Sequence, residues 1–206
     1  VIYGVTTGFG NFKKVEIKKE QVDTLQRNLM MSHAVGVGDP LTEPEVRAMI
    51  VVRINSLVKG FSGVREVVVD TMCEFLNKSV FPYIPKKGSL GASGDLAPLA
   101  HLGLVMMGMG ETFENGVRVP SISSLARAHI VPVAFGAKEG LAVTNGTSMM
   151  AGIGALNLYK SEELMRVADI AAAMHLEALM GSLVAFHERV HAIRPHKGQG
   201  DSAKNV

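Results

Sequence analysis

Gly88-Ser89-Leu90-Gly91-Ala92-Ser93-Gly94-Asp95-Leu96-Ala97-Pro98-Leu99-Ala100 sets more small residues directly against a helix start than any other stretch of this chain. Gly88, Gly91 and Gly94 free the backbone for conformations that side chains forbid. Asp95 is placed to cap the following helix through its carboxylate, and Pro98 falls in the first turn, where a missing N–H costs little. The stretch therefore reads as a tight turn feeding a helix N-terminus. In such a turn the amide nitrogen of Gly94 can be pressed against the carbonyl carbon of Ala92, since only small groups stand nearby. Ring closure and loss of two waters, one of them carrying away the Ser93 hydroxyl, would make a methylidene-imidazolone: an electrophile built from the chain itself. Local composition alone fits equally a serine in a glycine-rich turn that caps a helix.

The flanks place this turn in a mainly α chain. Phe81-Pro82-Tyr83-Ile84-Pro85 is a rigid extended lead, because its prolines bar regular helix. Leu96 to Met109 is helical and almost uncharged, hence deeply buried. Further upstream, Val22, Leu25, Leu29 and Met30 give Glu20 to Met31 the spacing of an amphipathic helix, so His33 sits where helix becomes a glycine-broken loop. Thr42-Glu43-Pro44-Glu45 matches a capping box and opens an inward stripe of Val46, Met49, Ile50, Ile54 and Leu57 that ends at Gly60. A second helix is expected from about Ser62 to Asn77.

Downstream, Asn115-Gly116 marks a hairpin within Glu111 to Pro120. Ser121 to Ala128 reads as one short helix and Val131 to Asn145 as a loop that brings Asn145 inward. Three helical stretches are then expected: Thr147 to Leu158, Ser161 to about Gly181, and Leu183 to Ile193, stopped by Pro195. No repeat or low-complexity linker interrupts the chain.

With 206 residues, 47% hydrophobic and 19% charged, the chain has enough apolar material for a substantial core. Lys and Arg number 21 against 19 Asp and Glu, with no long basic block, so neither nucleic acid nor an anionic membrane is the expected partner. The single cysteine, Cys73, sits at helical spacing in an apolar run; it fits a buried residue and a reducing, cytoplasmic setting. Gly140 to Tyr159 is uncharged but carries Asn145, Asn157, several hydroxyls and glycines, which suits a buried helix after a polar loop better than a membrane span. No signal peptide opens the chain, and its start directly on a motif suggests that further sequence lies upstream.

Ala92-Ser93-Gly94-Asp95-Leu96-Ala97-Pro98-Leu99 resembles the cofactor-forming segment of the aromatic amino acid ammonia-lyases, the family of histidine and phenylalanine ammonia-lyases. The likeness extends to Tyr3-Gly4-Val5-Thr6-Thr7-Gly8-Phe9-Gly10, Ser32-His33-Ala34-Val35-Gly36-Val37-Gly38, Lys138-Glu139-Gly140-Leu141-Ala142, Asn145-Gly146-Thr147, and Arg194-Pro195-His196 with Gly198-Gln199. The resemblance implies the helical-bundle fold of the fumarase/aspartase-like superfamily. It divides the chain into an N-terminal domain over 1–145, which carries the prosthetic-group loop, and the start of a central long-helix bundle over 146–206. It further implies a homotetramer whose pockets draw on several subunits, with the apolar helices after Asn145 buried against other chains. Family enzymes are considerably longer, and their later tyrosine, arginine and glutamate pocket residues have no counterpart here.

By the same resemblance, Ala92, Ser93 and Gly94 form 4-methylidene-imidazol-5-one (MIO) autocatalytically, with no metal or diffusible cofactor. The substrate amine adds to this group and departs, and the helix N-terminus behind it favours the negative charge that develops. Tyr3 is carried over as the β-proton base, which as phenolate requires its pKa of about 10 to be lowered by the site. His33 is carried over as a substrate-contacting residue, Asn145 as an amide holding the amino acid or the prosthetic carbonyl, and Asp95 as a group that assists cyclisation. Ser32-His33 resembles the histidine ammonia-lyase form of the motif, and Ala34 argues against the tyrosine-specific form. The expected reaction is conversion of L-histidine to trans-urocanate and ammonia, the first step of histidine breakdown.

Other readings start from other features. Phenylalanine or tyrosine ammonia-lyases and aminomutases share the electrophile. His187-Glu188-Arg189-Val190-His191 fits the zinc peptidase pattern of two histidines on one helical face beside a glutamate base. Against it, Arg194 and Lys197 occupy the places where the extended pattern needs glycine and a third histidine. A non-catalytic helical assembly module is the third alternative, with an uncyclised Ser93.

Overall fold

A computed structural model describes residues 1–206, and the chain divides into two compact units, Val1–Gly154 and Ala155–Val206. The architecture is mainly α, as the sequence leads one to expect, with two small antiparallel strand pairs where one hairpin is expected.

The first unit is assembled around α4 (Leu96–Met106), the helix that follows the glycine turn. Eight of its eleven residues are buried, and it packs against α1 (Val22–His33) and α6 (Glu139–Thr144). Leu99 and Leu102 are wholly buried, so truncating either to alanine would cost about 2–5 kcal/mol. This apolar centre fixes the turn that precedes the helix.

Two further helices complete the core, α2 (Glu43–Leu57) and α3 (Glu66–Asn77). The capping box of α2 is present: the Thr42 amide and hydroxyl donate to Glu45 Oε2 at 2.7 and 2.8 Å. The inward face of α2 differs from the expected stripe, with Val46, Met49, Ile50, Arg53 and Leu57 buried and Ile54 only partly so. An arginine therefore takes a core position. α3 starts at Glu66 rather than near Ser62, because the Arg65 amide is engaged by Glu139 Oε1 at 2.9 Å and Arg65 is extended. Cys73 is half-buried on α3, less enclosed than expected.

The strand pairs are short. β1 (Val37–Pro40) pairs antiparallel with β2 (Pro85–Lys87), an element that the local sequence does not signal. β3 (Glu111–Glu114) and β4 (Val117–Pro120) form the expected hairpin, with Asn115 and Gly116 at φ of 49° and 84° in its turn. α5 (Ser121–Arg127) follows as expected.

Val131 to Asn145 is not all loop: it contains α6, whose start at Lys138 has φ of 70°. The two helices expected over Thr147–Leu158 and Ser161–Gly181 are one, α7 (Ser148–Ala178). Ser161 does not break it, since its hydroxyl donates to Asn157 O at 2.7 Å one turn back.

In the second unit, the stretch Leu183–Ile193 is not a single helix. Ser182 Oγ accepts the Val184 amide at 3.3 Å and His187 Nδ1 accepts the Arg189 amide at 3.2 Å. Two caps this close restart the chain twice, as a 3₁₀ turn at Leu183–Phe186 and then α8 (Glu188–Ala192). α9 (Lys197–Asn205) ends the chain. No helix is long and apolar enough to cross a membrane.

Candidate active site

Ala92 and Ser93 stand exposed at the tip of the glycine turn, while Gly94 and Asp95 are buried. Gly94 has φ of 92°, and a Cβ on it would overlap the Gly146 carbonyl and lie 2.7 Å from the Gly146 nitrogen. The Asp95 amide donates to Gly146 O at 2.7 Å, and Gly94 and Gly146 form an isolated parallel bridge. Only glycine fits at position 94.

Asp95 occupies the N-cap of α4, but its side chain makes no bond to that helix, contrary to expectation. Its carboxylate is held elsewhere: Oδ1 accepts the Ser89 hydroxyl at 2.8 Å and Oδ2 the Met150 amide at 3.0 Å. Ser93 does not cap α4 either. Its hydroxyl donates to Asn145 Oδ1 at 2.7 Å. Asn145 Nδ2 donates to Leu141 O at 3.0 Å, which fixes the amide with its oxygen toward Ser93.

Tyr3 and Asn145 line one cavity of about 400 Å³, together with Arg53, Phe61, Lys138 and Leu141. The Tyr3 oxygen accepts the Gly10 amide at 3.1 Å, and its ring meets Phe9 edge-on with centroids 6.0 Å apart. Tyr3 and Asn145 thus share a cavity, and Asn145 in turn holds Ser93. His33 lies apart from it, lining a second and more apolar cavity of about 540 Å³ with Phe9, Phe12 and Leu29. Its Nδ1 is 2.9 Å from Leu29 O and 3.0 Å from Ser32 Oγ. A carbonyl only accepts, so Nδ1 is the donor in this contact.

The loop carrying Asn145 is anchored at both ends of α6. At the start, Glu139 is buried and accepts Arg65 Nε at 2.9 Å, Arg65 NH2 at 2.6 Å and the Gly136 amide at 2.6 Å. Burial pushes the Glu139 carboxyl up, but the hydrogen bonds from Arg65 and the two backbone amides outweigh it and hold it below the usual carboxylate range. At the end, Arg53 donates to the carbonyls of Ala142 and Asn145. Arg53 belongs to none of the sequence motifs. Its signal was there: Arg53 lies four residues from both Met49 and Leu57, on the inward stripe of α2.

His187, Glu188 and His191 do not make the zinc arrangement. His187 is outside α8 and uses its ring as the N-cap, while His191 Nδ1 faces Gln199 Nε2 at 2.9 Å. The two histidines share no helical face. No group of three or more His, Cys, Asp or Glu side chains is placed to hold a metal ion.

A buried helix fed by a glycine turn, with a serine at its tip bonded to an asparagine on a second glycine loop, defines a helical protein organised around that serine-bearing turn. The family model for aromatic amino acid lyase matches residues 1–206, and the chain belongs to that family. It is 55% identical over 206 residues to the histidine ammonia-lyase of Caldanaerobacter subterraneus subsp. tengcongensis, covering all of this chain and 41% of that protein. Among solved structures, tyrosine aminomutase from Streptomyces globisporus superposes with a TM-score of 0.92 at 41% identity, over 99% of this chain and 38% of the other. Histidine ammonia-lyase from Trypanosoma cruzi gives 0.92 at 38% identity, over 99% and 40%. The chain thus spans about two fifths of the length of these relatives.

Proposed function

We propose that this chain is the prosthetic-group-bearing part of a histidine ammonia-lyase, which eliminates ammonia from L-histidine to leave trans-urocanate. The observation that carries the reading is the Ser93–Asn145 hydrogen bond at a turn whose Gly94 admits no side chain. The 55% identity to a histidine ammonia-lyase supports the choice of substrate.

The residues at the turn fit a methylidene-imidazolone. Ala92 and Gly94 leave room for the Gly94 nitrogen to bond the Ala92 carbonyl carbon, and Asp95 is tied down on the far side by Ser89 and Met150. Closure expels the Ala92 oxygen with the amide hydrogens of Ser93 and Gly94 as one water; the Ser93 hydroxyl and its α-hydrogen leave as the second. Asp95 assists by fixing the C-terminal side of the triplet. Once formed, the group supplies an electrophile that turns the substrate amine into a leaving group.

The chain's own residues do the rest. Tyr3 takes the β-proton, its oxygen being held by the Gly10 amide beside the cavity it shares with Asn145. Asn145 orients the amino acid or the prosthetic carbonyl from the other side. His33 lines a cavity walled by the same Phe9 that packs on Tyr3, and its polar imidazole suits a substrate with a polar ring. Exposed Leu164, Val167, Ile170 and Met174 on α7 supply an apolar face for packing against other subunits, in a homotetramer of the cytoplasm.

The test is the intact mass and peptide map of the protein that carries this chain, followed by product analysis. The expected result is a deficit of two waters within Gly88 to Ala100, and urocanate from histidine. Full mass there would remove the lyase reading. Cinnamate, coumarate or a β-amino acid in place of urocanate would move the substrate to the phenylalanine or tyrosine enzymes and aminomutases.

A further inference from the structure

Arg53 is a buried cation without an anion. It is 3% exposed, and no carboxylate pairs with it. Burial alone lowers its pKa. Its partners are dipoles: NH2 donates to Ala142 O and, at 2.7 Å, to Asn145 O, while NH1 reaches Ser148 Oγ at 3.5 Å. Ala142 lies in the last turn of α6 and Asn145 is its C-cap, so these carbonyls belong to the set a helix end leaves without intrahelical partners. A cation there also meets the negative end of the helix dipole.

Gly146 is held between this guanidinium and the cyclising turn. A Cβ on Gly146 would overlap Arg53 NH1 and lie 3.2 Å from its Cζ. On the other side, Gly146 O accepts the Asp95 amide and bars any side chain at Gly94. Contacts therefore run without a gap from Arg53 through Asn145 and Gly146 to Ser93, Gly94 and Asp95.

We propose that Arg53 is a positioning residue for the ring-forming triplet: by clamping the Ala142 and Asn145 carbonyls it seats Gly146 against Gly94 and sets the Asn145 amide on Ser93. This inference rests on the reading of Ala92-Ser93-Gly94 as the source of the electrophile. Arg53 acts through the Asn145-Gly146 loop, and its role is exercised before any substrate binds.

The experiment compares R53M, R53K and the core variant F75L with the unaltered protein that carries this chain. Phe75 is a fully buried core residue of α3 and serves as the control for lost stability. The readouts are the fraction of subunits lacking two waters at Gly88 to Ala100, followed over time after synthesis, and KM and kcat for histidine. R53M is expected to slow cyclisation about tenfold or more through misplacement of the reacting atoms, R53K to recover part of the rate, and F75L to cyclise fully. Should R53M fail to fold, R53K decides by the same comparison with F75L. Cyclisation of the Arg53 variant at the rate of F75L would overturn the proposal. So would a raised KM at an unchanged cyclised fraction, which would make Arg53 a substrate contact. Absence of the deficit in the unaltered protein would overturn the reading of Ser93 itself, a failure visible without any Arg53 variant.

Discussion

The Asp95 carboxylate caps a helix other than its own: Oδ2 accepts the Met150 amide at 3.0 Å, although Asp95 stands at the N-cap of α4. Met150 is the third residue of α7, so the bond fills a donor that the first turn leaves open. The glycine turn and the start of the long helix are thereby joined through one side chain.

Asp95→Ala removes this cap and is expected to cost about 1–2 kcal/mol, read as a lower urea midpoint at unchanged slope. Asp95→Asn keeps an acceptor for Met150 and is expected to retain more than half of that stability. If the carboxylate also assists ring closure, Asp95→Asn will nevertheless slow the loss of two waters, measured by mass. Full-speed cyclisation in Asp95→Asn would leave Asp95 with the cap alone.

Gly94→Ala meets two penalties. Its φ of 92° is unfavourable for an L side chain, and the added methyl collides with Gly146 backbone. A loss of about 3 kcal/mol is expected from the two together, with the Gly94–Gly146 bridge opened. Denaturant unfolding gives the first quantity, and the peptide mass across the turn shows whether the ring still forms. Wild-type stability in this variant would mean that the turn relaxes without cost.

The same bridge explains what the sequence could and could not convey. Where a local device decides the structure, the device was legible: Thr42 and Glu45 start α2, Asn115-Gly116 turns the hairpin, and the uncharged run after Asp95 is buried as α4. α6 was hidden because its six residues carry no local stop or start. It is held by Glu139 on Arg65, 74 positions away, and by Arg53 on Ala142, 89 positions away. The β1–β2 pair depends likewise on partners such as Val37 and Lys87 that are distant in sequence. At the site, Ser93, Gly94 and Asn145 were legible as motif residues, but the bonds among them were not. From sequence alone Asp95 reads as the cap of the nearer helix, because its reach to Met150 requires the fold.

Glu139 makes the first unit acid-sensitive. Hydrogen bonds from Arg65 and Gly136 hold its carboxyl below the usual range despite burial. The stability this gives is present above the unfolded-state pKa of about 4.3 and is lost as pH falls through the lower folded value. Glu139→Gln is therefore expected to flatten the acid limb of a Tm-against-pH profile. Arg65→Ala, measured at pH 7, is expected to cost about 2 kcal/mol, because a buried carboxylate loses its charged partner although Arg65 itself is half exposed. An unchanged acid limb in Glu139→Gln would show that other carboxylates govern it.

Tyr3→Phe separates the proposed base from the electrophile. The phenol oxygen accepts only the Gly10 amide, at an exposed site, so its loss is expected to cost about 1 kcal/mol or less in stability. Tyr3 has no bond to Ala92, Ser93 or Gly94, and the two-water deficit is expected to persist in full. Turnover of histidine in the protein that carries this chain is expected to fall by about 10²–10⁴, the contribution of one positioned general base. Kinetics alone would not distinguish loss of the base from loss of the prosthetic group; kinetics with the peptide mass does. Near-normal turnover would transfer the base to another residue, and a missing deficit would place Tyr3 among the groups that build the electrophile.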